Sequence, residues 1–413
     1  MKDRNVSQQN DIDRDFPMPT LLFIHHSGLI GGAGVSLRNN LLFLSENGFR
    51  VRLYAPSDPP AYMEMIGRDC PKVSQKTYGR RIGAFTYCIP GDSVWSLRFW
   101  YRLMLCVKQW RYWNRVIEEE NPDVVIMNSS ILCWMSLLGA VRRRKSVCFV
   151  RETKKGSVGN LPNRFIHWCL DKYTKVVFIS RYDQKLENLQ KAQSTVVCNY
   201  VNSKLLDNTL DRRAAEDRLG LSHDTFRVLY VGGVSPLKGF DVAVDAVSMC
   251  KRPVELLAAG MGIEAAKGVT SKSLRQYAAE MEQKLAASQY KDRIVMIGTQ
   301  TDMSPCYAAC DVLLFPMRSP HQARPAFEAG YFGKPAIITN FDNIQEFVQD
   351  GVNGYQVPPG DPKAIAEKLD ELASDPEKAR KLGEANRQCW MKNHNEKTNQ
   401  AAVRSLLEEL IHP

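Results

Sequence analysis

LLFIHHSGLIGGAGVSLRNNLLFLSENGFRVRLYA, residues 21–55, changes its hydrophobic period twice. Residues 21–26 are a short apolar run that stops at a glycine-rich loop. Residues 35–46 carry apolar side chains at helical spacing and are closed by Asn47-Gly48, and residues 49–55 return to strand character. A strand, a crossover helix and a second strand in so short a span build a parallel sheet, because parallel strands cannot be joined by a hairpin. The alternation continues through DVVIMN (123–128), SVCFV (146–150) and KVVFIS (175–180). It resumes with RVLYVGG (227–233), VELLAAG (254–260), RIVMIG (293–298), DVLLFP (311–316), PAIITN (335–340) and GYQV (354–357). Residues 199–224, between the two series, are polar, lack a strand period and read as an interdomain connection. The expectation is α/β: two doubly wound, Rossmann-like domains hinged near residue 205, with ligands at the carboxyl ends of the strands and a site in the cleft between facing sheets.

The chain has 413 residues, 44% of them hydrophobic and 24% charged, which suits two soluble domains better than one core. Its first residues are polar and of both charge signs, unlike the apolar core of a signal peptide. Residues 132–141 form the best apolar run, short of the roughly 18 that a spanning helix needs. Eleven cysteines lie scattered; Cys306 and Cys310, four apart in an apolar helical segment, read as buried thiols rather than as metal ligands. Cytoplasmic location is the expectation. Residues 1–200 hold 29 Lys and Arg against 17 Asp and Glu, whereas the remainder hold 26 against 28. The basic half therefore either faces an anionic partner, such as a membrane surface or a phosphorylated lipid, or is simply a solvated basic surface. No recognised nucleic-acid module accompanies that charge, and no nucleic acid is expected.

Three glycine-marked loops follow strands and precede helices. In HHSGLIGGAGVSLRN, Gly31 and Gly32 let an anion approach a helix start, but Leu37 occupies the third glycine position of the dinucleotide fingerprint, which disfavours a nicotinamide enzyme. In GGVSPLKGF, Lys238 sits just before a helix, where an ammonium and free amides would meet a phosphate together. In SPHQARPAFEAGYFGKPAIITN (319–340), Pro325 suits a first helical turn and Gly333 a helix stop, so Glu328, the segment's one acid, lies one turn into the helix. A carboxylate there can accept hydrogen bonds from both hydroxyls of a ribose.

These loops in this order, with residues 345–369 behind them, resemble the retaining glycosyltransferases of family 4, which have the GT-B fold. The resemblance covers most of residues 20–390 and is strongest over 227–369. It implies an acceptor-binding domain (1–204), a nucleotide-sugar-binding domain (205–387) and a helix (388–413) crossing back to the first domain. It implies that Lys238 binds the donor diphosphate, that Glu328 binds the ribose, and that Gly31 and Gly32 border the reaction centre, with no metal and no cofactor beyond the sugar-nucleotide substrate. Two positions depart from the family pattern. Gly233 stands where an arginine joins the lysine on the diphosphate, and Pro320 stands where the first glutamate of a pair contacts the donor sugar. The expectation is that Arg324 restores the charge and that His321 or Gln322 binds sugar hydroxyls. His25, His26, Arg151 and Glu152 are acceptor-side candidates at the ends of first-half strands.

By family analogy the acceptor is a lipid-linked glycan of surface polysaccharide or lipopolysaccharide assembly. Residues 93–116 add to that with an aromatic, basic segment. Trp100, Leu103, Val107 and Trp110 form one stripe expected in the core, and the other aromatics lie beside arginines as on a membrane-surface helix, consistent with peripheral attachment to the inner face of the cytoplasmic membrane. Two other readings stay open from sequence: a non-catalytic sugar-nucleotide-binding protein, and an epimerase of the same fold.

Overall fold

The computed structural model describes residues 18–79, 82–85, 97–153, 161–320 and 322–412. The chain forms two compact units. One runs through Ile179 and includes Glu187–Val197 and the residues from Gln400 onward; the other comprises Ser180–Leu186 and Cys198–Asn399.

Among the described residues the first unit holds seven strands: β1 (Thr20–Ile24), β2 (Arg50–Pro56), β3 (Ser74–Tyr78), β4 (Val124–Met127), β5 (Lys145–Val150), β6 (Lys175–Phe178) and β7 (Gln193–Val196). All pair in parallel in the order β3-β2-β1-β4-β5-β6-β7. The second holds β8 (Phe226–Val231), β9 (Val254–Ala259), β10 (Ile294–Gly298), β11 (Val312–Phe315), β12 (Ala336–Thr339) and β13 (Gly354–Val357), parallel in the order β10-β9-β8-β11-β12-β13. Central strands such as β1, β4 and β11 are buried along their whole length, as a sheet covered on both faces requires. In each sheet the winding direction reverses beside the first strand, between β1 and β4 and between β8 and β11. Loops diverge there and leave a crevice at the carboxyl ends.

Several local differences from the sequence reading have physical causes. Strands β3 (SQKTY) and β7 (QSTV) gave no apolar run because both are edge strands with largely exposed side chains. The segment read as a connection contains the helix Arg212–Leu219, capped by Asp211, and packs with the second unit from Cys198 onward, so the boundary falls before residue 205. The expected single helix from residue 388 is two, Pro376–Asn393 and Glu396–Ile411, and the second passes from one unit into the other.

The helix Leu97–Glu120 overturns the expected core stripe. Trp100, Val107 and Trp110 are 57%, 65% and 37% exposed, and the buried face is Cys106, Trp113, Val116 and Ile117. Trp113 sets this rotation: it lies edge-on to Tyr78 and Tyr54, with centroids 5.2 and 6.0 Å away. Cys106 closes against Gly83, where any Cβ would come within 2.5 Å of its sulfur. Among the described residues no helix is long and apolar enough to cross a membrane. Cys306 and Cys310 are both buried thiols.

At the break between the last two helices, His394 is buried and stacked 4.2 Å from the Phe327 ring and 5.6 Å from Phe347. Its Nδ1 faces the Asn199 carbonyl at 2.7 Å and therefore donates. Burial pulls its pKa down to about 4. Because the folded value lies below the unfolded one, stability from this site is complete above pH ~6.5 and is lost as the pH falls toward 4. Between pH 7 and pH 5 the site should cost about 2 kcal/mol. Urea melts at the two pH values should show a smaller difference for His394→Gln, which retains the donor without the titration.

Candidate functional site

At the reversal point of the second sheet, three backbone turns meet. Gly233 has φ +63° and Gly260 φ +127°, and a Cβ on Gly233 would lie 2.4 Å from the Met261 nitrogen. Gly239, φ +71°, starts the helix Phe240–Met249, and a Cβ there would lie 2.1 Å from the Pro316 carbonyl oxygen. The loop after β8 is thereby laid on the loop after β11, and the Arg318 amide donates to the Leu237 carbonyl at 3.1 Å. Lys238 is half-buried in this stack, its Nζ 5.3 Å from the centroid of the Phe315 ring at the end of β11. The helix start also carries Asp241, which receives the Tyr277 hydroxyl at 2.8 Å and an ion pair from Arg318. That carboxylate is thus neutralised beside the lysine.

The helix after β11, Arg324–Tyr331, opens with Pro325 in its first turn. Glu328, 8% exposed, accepts from Arg324 Nε at 2.7 Å on one oxygen and from the Tyr307 hydroxyl at 2.8 Å on the other. Burial, with the Glu328 charge second, raises the Tyr307 pKa well above the usual phenol value and keeps it a donor. Each carboxylate oxygen retains acceptor capacity beyond these two bonds. Arg324, expected to face a diphosphate, is paired through its Nε with Glu328. Gln322 donates to Asp183 at 2.5 Å, and His321 lies outside the described residues. Tyr307 was missed from sequence because it lies on a separate helix, Ser304–Ala309, with no local motif.

At the reversal point of the first sheet, His25 (1% exposed), Asn128 and Arg151 form a buried chain. Asn128 Oδ1 accepts from Arg151 Nε at 2.8 Å, which fixes its amide; its nitrogen donates to the Ala33 carbonyl at 3.2 Å and lies 3.1 Å from His25 Nδ1. Nδ1 is therefore an acceptor. Burial above all lowers the His25 pKa well below its ordinary value, so the ring is neutral and its proton sits on Nε2. His25 cannot act as a base through that nitrogen. His26 is stacked edge-on at 5.0 Å, and burial lowers its pKa as well. Glu152 accepts from the Ser129 and Ser130 hydroxyls, both at 2.6 Å. Gly31 caps the helix Gly32–Glu46 without a side-chain bond, and a Cβ on Gly31 or Gly32 would meet open space. Asn128, Ser129 and Ser130 were not singled out from sequence, because polar residues ending a strand look like ordinary turn residues.

Residues 30–204 match the model described as Glycosyltransferase Family 4, and residues 211–389 match the one described as Glycosyl transferases group 1. Glycosyltransferase family models thus match both halves of the chain. A glycosyltransferase of Methanocaldococcus jannaschii is 26% identical over 403 residues, covering 95% of this chain and 97% of its own. The D-inositol 3-phosphate glycosyltransferase of Streptomyces bingchenggensis is 29% identical over 175 residues, and the match spans only 38% of that relative's length and 42% of this chain. Among solved structures, Anabaena HepE in complex with UDP superposes with a TM-score of 0.74 at 18% identity, covering 94% of this chain and 100% of that one. Sucrose-phosphate synthase of Thermosynechococcus elongatus gives 0.71 at 18% identity, over 95% and 99%. The fold is GT-B.

Against the family pattern, Gly233 is a backbone requirement. Both its positive φ and its contact with Met261 forbid a side chain unless the 260–262 turn moves. Gly233→Arg, which restores the family residue, should therefore lower stability by about 1–3 kcal/mol rather than tighten donor binding; calorimetry with and without donor tests this. For the first sheet, long-range nitrogen–proton NMR spectra should show His25 protonated at Nε2. In Asn128→Asp, whose carboxylate accepts from both neighbours, the proton should move to Nδ1.

Proposed function

We propose that the protein transfers a sugar from a nucleotide-sugar donor to a glycan acceptor, lipid-linked and destined for a surface polysaccharide or lipopolysaccharide, with retention at the anomeric carbon. The observation that carries the donor half of this reading is the meeting of two loops at one sheet reversal: Lys238 lies over Phe315, the last residue of β11, and Glu328 lies in the helix that follows β11. An ammonium beside a helix start suits a diphosphate, and a carboxylate with two donors already in place suits a vicinal diol. The matched Anabaena structures bear UDP and UDP-glucose, which makes uridine nucleotides the first donors to test.

In the reaction the acceptor hydroxyl oxygen forms a bond to the anomeric carbon on the face from which the diphosphate leaves. The sugar–oxygen bond breaks, and the acceptor proton passes to a phosphate oxygen. Lys238 stabilises the charge that grows on the leaving group. No separate strong base is needed, in keeping with a His25 held as a donor. Arg324 acts here as a positioning residue: it holds one Glu328 oxygen while Tyr307 holds the other, so the free lone pairs face the ribose. The acceptor side falls to the His25, His26, Arg151 and Glu152 group.

A thermal-shift screen against UDP-, GDP-, ADP- and dTDP-sugars, followed by transfer assays, tests the reading. One donor should raise the melting temperature of the wild type, and Lys238→Ala should abolish the shift. Glu328→Gln and Arg324→Ala should lower kcat/KM about 10- to 100-fold, chiefly through donor KM, since each removes or misorients a charge-assisted hydrogen bond. Unchanged kinetics in both variants would reject the ribose assignment.

A further inference from the structure

The exposed face of Leu97–Glu120 continues onto the helix Leu161–Leu170. Five aromatic rings run in an unbroken line across the two: Trp100 to Phe99 at 5.7 Å, Phe99 to Phe85 at 5.9 Å, Phe85 to Phe165 at 5.0 Å and Phe165 to Trp168 at 6.0 Å. The inner three anchor the line in the unit, packing on its core. The outer two are open to solvent, Trp168 being 50% exposed. Leu97, Tyr101, Met104 and Val107 extend the open apolar surface along the first helix, and Leu161 does so on the second; Leu97 is 89% exposed. A run of this size on one face is more than the scattered apolar residues any soluble surface shows.

The charges that the face itself carries are of one sign. Residues 97–117 contain no Asp or Glu, and neither does Leu161–Leu170. Lys108, Arg111 and Arg115 are exposed along the first helix, Arg164 is exposed on the second, and Lys172 lies 4.1 Å above the Trp168 ring. The three acids of the first helix are its last three residues: Glu118 pairs with Arg143 and Arg144, Glu120 with Arg52 and Lys76, and the exposed Glu119 lies 3.8 Å from Arg115.

We propose that this face docks the first unit onto an anionic lipid bilayer, the indole and aliphatic groups entering the headgroup boundary while the lysines and arginines meet lipid phosphates. Tryptophan and tyrosine favour that boundary because one part of each ring system is apolar and the other polar. Basic side chains around an apolar strip provide the second, electrostatic attraction. A second copy of the chain is a poorer occupant, since it would bring an identical cationic face against this one. A neutral apolar partner would leave the cations unanswered.

The full-length protein, sedimented with vesicles of phosphatidylcholine alone or mixed with phosphatidylglycerol, tests this. Binding should be at least ~10-fold stronger to the anionic vesicles and should weaken as NaCl rises, because screening shortens the reach of the headgroup charge. Trp100→Ala with Trp168→Ala should reduce binding about 10-fold, as should Lys108→Glu with Arg111→Glu, in proteins whose melting temperatures match the wild type. Brominated acyl chains should quench the tryptophan fluorescence of the wild type. The proposal is overturned if anionic vesicles bring down no protein, if both double variants bind like the wild type, or if the tryptophan pair instead abolishes a dimer seen by analytical ultracentrifugation. No sugar donor enters the assay, so its outcome is separate from that of the glycosyl-transfer reading.

Discussion

The close approach of backbone to backbone at the carboxyl ends of β8, β9 and β11 is the constraint on which the second unit's chemistry rests. Gly233 against Met261 and Gly239 against Pro316 leave no space for a Cβ, and both glycines hold positive φ angles that other residues adopt only at a cost. That packing draws the loop after β8 over the loop after β11. Lys238 and the segment leading to Glu328, ninety positions apart in the chain, become neighbours through it. A side chain at either glycine would separate the loops and scatter the charges they carry.

The two sheets share one recipe but equip their reversal points differently. The second places an ammonium and a buried carboxylate there, each fixed by neutral or oppositely charged partners. The first places a neutral imidazole, whose proton position is dictated through Asn128 by Arg151, beside a carboxylate engaged by two serine hydroxyls. In the proposed reaction the second sheet's end serves the donor and the first sheet's the acceptor. Such a division follows from what each set of strands happens to end in, since the backbone topology is nearly the same.

Much of the fold was legible because buried parallel strands must be short, apolar and separated by helices, and β1, β4, β8 and β11 meet all three conditions. The edge strands β3 and β7 were not, since an edge need not be apolar. The rotation of Leu97–Glu120 was not legible either: two apolar stripes compete on that helix, and only the packing against Tyr54 and Tyr78 decides for Trp113. At the site, Lys238 and Glu328 could be picked from loop chemistry alone. The partners of Glu328 could not, because Tyr307 comes from another helix and Arg324, one turn earlier, was expected to face a ligand rather than its own helix. Sequence suggested a missing arginine at 233; the contact with Met261 supplies the reason, which is space.

The path of the chain carries a further consequence. It leaves the first unit after Ile179, returns at Glu187, leaves again after Val197 and comes back at Gln400. The excursion Ser180–Leu186 is not idle: the amides of Arg181 and Tyr182 donate to Glu346, and Asp183 receives Gln322. Neither half is therefore a cassette that a single cut could lift out. Chimeras that exchange donor halves among relatives would have to carry this seven-residue loan with them, or strand a carboxylate that the parent molecule keeps fully answered.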